Sequence, residues 1–218
     1  MVSAKTSHVL LLVFCSFLLV SPFAVTGCSS TAGLHGKPLP DMTFEHVEPL
    51  PLKVATVEVI NKYSPGGDEQ DVSASLPTPP DIALRRYAER RLQNDDVAGA
   101  LKFVIEDAYV HHKEIVPEKG IMSWMKSEAK DIYNVVMKIR MYSLDAQGLQ
   151  SDHSILTFRR SITIPQSYSL SEKEYEQFKF IEDMVAEVDG VVTSTLMHKL
   201  NLVSDAYVPV VKTKKQKK

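Results

Sequence analysis

Residues 131–144 (DIYNVVMKIRMYSL) alternate in polarity, with Tyr133, Val135, Met137, Ile139 and Met141 on one parity and Asn134, Lys138 and Arg140 on the other. Strand side chains point to opposite faces with a period of two, so this run fits a strand with one face buried and the other wet. Such a strand needs partners. Asp145-Ala146-Gln147-Gly148 is a turn sequence, and residues 154–164 resume with Leu156, Phe158, Ile162 and Ile164 on one face. The two runs predict an antiparallel hairpin. Residues 101–110 (LKFVIEDAYV) add a strand with Leu101, Phe103, Ile105 and Tyr109 on one face and Asp107 as the exception. The β-branched run 52–60, with Ala55, Val57 and Val59 on one face, is expected to be the first strand.

A sheet with one apolar face requires a cover. In residues 81–93, Leu84, Tyr87, Ala88 and Leu92 recur at helical spacing and leave Arg85, Arg86, Glu89 and Arg90 outward. Thr78 is placed to cap this helix, and the adjoining prolines suit a first turn. Further on, Ser171-Glu172-Lys173-Glu174 matches a capping box, with Leu170 and Tyr175 placed as a hydrophobic staple. The stripe Tyr175, Phe178, Ile181, Val185, Val188, Val192 and Leu196 then predicts one long helix, with Gly190 as a soft point. The order is strand, helix, strand, strand, strand, helix. It predicts an α+β fold: a two-layer sandwich in which a small, mainly antiparallel sheet of about four strands carries two amphipathic helices on one face.

The N-terminus is read as an export signal. Lys5 precedes an apolar run from Val9 to Val20 that Ser21 and Pro22 end early, too short for a permanent membrane span. It closes on Val25-Thr26-Gly27-Cys28, which resembles the bacterial lipobox: Thr26 and Gly27 fit its small positions, Val25 stands where that motif usually has leucine, and the resemblance implies that the cysteine thiol accepts a diacylglycerol before cleavage. An ordinary signal peptide with a chance cysteine is the alternative. On the lipidated reading, residues 1–27 are cleaved, Cys28 is the lipidation site, residues 28–48 form a flexible tether, 49–203 a single α+β domain and 204–218 a basic disordered tail. The acyl chains hold the mature protein to the membrane without a spanning helix. Cys15 leaves with the signal, so the mature chain has one cysteine and no internal disulfide. Setting aside Lys5 and the five lysines of the last seven residues leaves 19 basic against 27 acidic side chains, a net of −8. That balance repels phosphates and argues against a nucleic-acid partner.

These features together resemble two groups of small envelope lipoproteins, the LPS-assembly lipoprotein and the auxiliary lipoproteins of ABC-type lipid transporters. The resemblance rests on Val25-Thr26-Gly27-Cys28, on PPDIALRRYAERRL following a strand, on the YNVVMKIRMY and ILTFRRSITI hairpin, and on the long closing helix. The chain departs from the auxiliary group in having only a Pro/Gly loop, residues 61–80, between the first strand and first helix. What the resemblance implies is a binding or chaperoning role without a cofactor, beside an envelope transport or assembly protein. With Ser29 instead of Asp after the cysteine, it also favours the outer membrane of a two-membrane host.

Enzyme signatures are missing: there is no Gly-x-Ser-x-Gly elbow, phosphate-cradling loop, Cys-x-x-Cys or His-Glu-x-x-His. The polar residues left for an envelope hydrolase are Asp107, His111 and His153. His111 and His112 would point to opposite faces of a strand, so they cannot share a metal while the strand continues. The arginines Arg85, Arg86, Arg90 and Arg91 could meet lipid phosphates, although such a face is more often merely solvated. Residues 117–130 crowd Ile121, Met122, Trp124 and Met125 between Lys119 and Lys126. Two readings stand: the segment folds back over an open end of the sheet, or it is an exposed tip that contacts a partner or lipid.

Overall fold

The computed structural model describes residues 39–95, 97–116, 128–205 and 207. Two short strands, β1 (Leu50–Leu52) and β3 (Leu92–Asn94), pair in parallel; β2 (Thr56–Asn61), β4 (Ala100–Ile115), β5 (Lys130–Leu144) and β6 (Gln150–Pro165) form the main sheet in that order. β2 runs parallel to β4, and the β4–β5 and β5–β6 pairs are antiparallel. Two helices, α1 (Pro80–Arg91) and α2 (Leu170–His198), complete the fold. α1 packs on β4 and β2, α2 on β6, and the helices touch each other. The protein is therefore an α+β sandwich of a mixed sheet and two helices, as the periodicities predict.

The core lies between the helices and one parity of the sheet: Leu101, Phe103 and Ile105 of β4, Val135, Met137, Ile139 and Met141 of β5, and Ile181, Val188 and Val192 of α2 are all buried. The exception at Asp107 has a structural cause. The β4–β5 register slips between Ile105 and Asp107, inserting Glu106 as a bulge. One extra residue reverses the parity. Beyond it Ala108 and Val110 face the core, while Tyr109, assigned to the core from simple alternation, shares the open face with Asp107.

Several expectations are corrected. The run 52–60 is not one strand: β1 ends at Leu52 and pairs with β3, and β2 starts at Thr56 beside β4. Buried Val54 and the bonds from Lys53 N–H to Leu202 O and Ala55 N–H to Gly99 O mark the switch. α1 is preceded by Pro79 with no side-chain cap, so Thr78 does not cap it. α2 is capped by Ser169, two residues before the position expected: its side chain accepts from Glu172 N–H, and Glu172 Oε2 accepts from Ser169 N–H. With the helix begun earlier, Leu170 and Tyr175 are exposed and form no staple. The part of the tether that is described, from Leu39, is not empty of core residues, since Met42 and Phe44 are 4% and 5% exposed. At the other end Ser204 N–H donates to Pro51 O, and the Tyr207 hydroxyl meets Arg91.

Candidate functional site

Beyond β2, the loop from Asn61 to Ser75 continues along the edge of β4. Val72 N–H donates to Val110 O, and Asp71 bridges His111. Because the bulge turns Asp107, Tyr109 and His111 to the open face, loop and strand enclose a cleft of about 570 Å³ with Tyr63, Asp68, Asp71 and Glu106 on its other walls. Several of its charges are tied in place. His111 Nε2 lies 3.1 Å from Asp68. The Tyr63 hydroxyl donates to Asp71, which also accepts from the N–H groups of Ser73 and Val110 at 3.0 and 3.1 Å. Burial pushes the Asp71 carboxyl up, but Tyr63 and the backbone donors outweigh it and hold the group below the usual aspartate range. Burial and the Asp71 carboxylate raise the Tyr63 phenol. Glu106 resists burial in the same way as Asp71, held down by Lys138 at 2.9 Å and by Arg140.

The cleft brings together two of the three residues nominated for hydrolysis. Asp107 and His111 share it, whereas His153 faces Tyr142 on β6 while Asp107 faces Lys138 on β4. Four residues and two strand spacings separate them, about 16 Å, so the three do not form one site. His111 and His112 do point apart: His112 Nε2 lies 3.0 Å from Asp131 on the core side. Among the described residues, no group of three or more His, Cys, Asp or Glu could hold a metal ion.

A second cleft, about 360 Å³, lies where residues 44–48 cross α1 and α2. Arg91, grouped with the outward arginines in the sequence, is 5% exposed. Its Nε donates to Asp189 at 2.9 Å, Nη1 to Glu48 O, and Nη2 to the Tyr207 hydroxyl at 3.1 Å. Tyr87, fully buried, donates its hydroxyl to the same Asp189 oxygen, and burial with that charge raises its phenol. Helical spacing carries the signal for this residue, because Arg91 is four beyond Tyr87 and seven beyond Leu84 on the apolar face. The other three helix arginines are exposed.

At one end of the sandwich, β4 finishes at Ile115, β5 begins at Lys130, β6 ends at Pro165 and α2 starts at Leu170. Asp131 anchors this end. It is 5% exposed and accepts from Lys173 Nζ at 2.9 Å and Gln166 Nε2 at 3.2 Å as well as meeting His112. Around it, large apolar side chains face solvent: Ile115 (43% exposed), Val116 (65%), Tyr168 (39%), Leu170 (73%) and Tyr175 (54%). Ile121, Met122, Trp124 and Met125 lie outside the described residues, as does Cys28, but Val116 and Glu128 on either side of that segment are both at this end.

Among the described residues, no helix is long and apolar enough to cross a membrane. No family model and no curated protein matches the chain. Among solved structures, a minor lipoprotein from Acinetobacter baumannii is 12% identical over 71% of this chain and 98% of that one, with a TM-score of 0.33. A neuraminyllactose-binding hemagglutinin homolog from Helicobacter pylori is 12% identical over 76% and 94%, with a TM-score of 0.34. At this identity and overlap the two likenesses carry no functional assignment.

Proposed function

We propose that the protein is a non-catalytic envelope lipoprotein, anchored through Cys28, that holds a partner protein of lipid transport or assembly at the apolar end of its sandwich. The observation that carries this reading is the concentration of exposed Ile115, Val116, Tyr168, Leu170 and Tyr175 at one end, where the Trp124 segment also leaves and returns. Contiguous exposed apolar surface favours protein contact, and aromatic side chains supply much of the affinity of such contacts. The anchor comes from the small residues before Cys28, and the outer membrane is its expected site in a two-membrane host. Three of the cleft carboxylates, Asp68, Asp71 and Glu106, are engaged by histidine, tyrosine, lysine, arginine and backbone partners, which suits a structural role better than turnover.

Two measurements test the reading. Mass spectrometry of the native N-terminus is expected to find diacylglycerol on Cys28, and an unmodified Cys28 or a mature start elsewhere removes the anchor. Purification of the full chain from envelopes in several mild detergents is expected to recover a transport or assembly component, and Leu170→Glu with Tyr175→Glu to lose it. Recovery of no such component, or its retention by the double variant, rejects the apolar end as the binding surface.

A further inference from the structure

β6 closes one side of the main sheet, and among the described residues no strand lies beyond it. It runs for 16 residues, whereas β2 at the opposite side has 6. An edge strand turns alternate N–H and C=O groups away from its sheet, a row that another strand can complete. Proline and lysine deter that pairing, and neither occurs between Gln150 and Ile164. The charges on this edge are instead Asp152, Arg159 and Arg160.

Those charges select a partner and a register. A second copy related by a two-fold axis perpendicular to the sheet runs antiparallel and keeps the helix-covered faces together, so residues of equal parity must face each other. With Leu156 on the axis, Asp152 of each copy lies opposite Arg160 of the other, twice over. The β5–β6 register puts both on the helix-covered parity, and both are exposed. Arg160 Nη1 is 3.6 Å from Glu187 with its guanidinium over the Phe180 ring, and Asp152 Oδ1 accepts from the His153 N–H at 2.7 Å. In the same register exposed Ile155 faces Thr157, while His153 faces Arg159 on the open, hydrated side. Moving the axis to Ile155 sets Asp152 against Phe158, and moving it to Thr157 sets Arg160 against Ser154. Either shift gives up the directly opposed pairs and leaves Asp152 and Arg160 only diagonal to one another, about 7–8 Å apart.

We propose that the chain forms a two-fold dimer by antiparallel pairing of its β6 edges, with Leu156 at the axis and two Asp152–Arg160 ion pairs, joining two four-stranded sheets into one. This surface is separate from the apolar end of the proposed partner site. Sedimentation of the full chain in mild detergent is expected to give twice the mass of one chain. On the helix-covered side of the interface Asp152→Arg gathers four arginines and Arg160→Asp gathers four carboxylates, so each variant alone weakens association by roughly tenfold or more. A mixture of the two, separately tagged, recovers both ion pairs and is expected to form the heterodimer. Thermal melts of each variant distinguish lost pairing from lost folding. Ile155→Lys, at an exposed side chain next to the axis, gives a monomer by an independent route. A wild-type chain at single-chain mass at every concentration, a single variant that stays dimeric, or a mixture that fails to pair overturns the proposal.

Discussion

The Asp131 carboxylate accepts from Lys173 and Gln166 and meets His112, linking the start of α2 to the ends of β4 and β6. Burial pushes its pKa up, but Lys173, His112 and Gln166 outweigh burial and leave it below the ordinary 3.8. A depressed carboxyl stabilises the fold above its unfolded value, and that stability is lost as pH falls through the folded value. Asp131→Asn is therefore expected to lower stability near neutral pH by about 2 kcal/mol, the scale of a charge-assisted bond with its partner left unpaired. Thermal melts should show the difference from wild type shrinking below about pH 4; a constant difference would refute it. Arg91 illustrates the same scale. Its place on the apolar face of α1 follows from spacing, but Asp189, its partner, is 98 positions away and only the packing of α1 on α2 brings the two together.

At the scale of the element, periodicity was a reliable guide where a strand or helix buries one face along its length. β5 runs from Lys130 to Leu144, within one residue of the alternating run, and the α2 stripe from Phe178 to Leu196 is buried. Boundaries were less legible, because two overlapping sequences satisfy the same capping rule. Ser169-x-x-Glu172 and Ser171-x-x-Glu174 are equally good boxes. The turn after β6, with Tyr168 N–H on Pro165 O, brings the chain to the helix start by Ser169. Ser169→Ala is accordingly expected to cost about 1 kcal/mol in denaturant titrations, and Ser171→Ala only a few tenths. The reverse ranking would place the cap where the sequence alone suggested it.

Considered as a whole molecule, the domain is wider than residues 49–203. Phe44, buried and at a positive φ of 56°, sets its ring edge-on to Tyr87 at 6.0 Å, and Glu48 offers its carbonyl to Arg91. Phe44→Ala should therefore lower the unfolding free energy by about 3 kcal/mol, the cost of removing a buried aromatic; denaturant titration showing no loss would return residues 39–48 to the role of a tether. Asp107, Tyr109 and His111 show the same division for the candidate sites. Their chemistry is visible in the sequence, but the cleft they line depends on the bulge at Glu106 and on a loop pinned to the other edge of β4. The sequence by itself determined the strand and helix periods, and hence the α+β class, because side-chain parity is a local property of the chain. The tertiary structure decided the split of the first strand, the parity beyond Glu106, the burial of Arg91 and the exposed apolar end. Each of these depends on pairing or packing between residues far apart in sequence, which local periodicity does not encode.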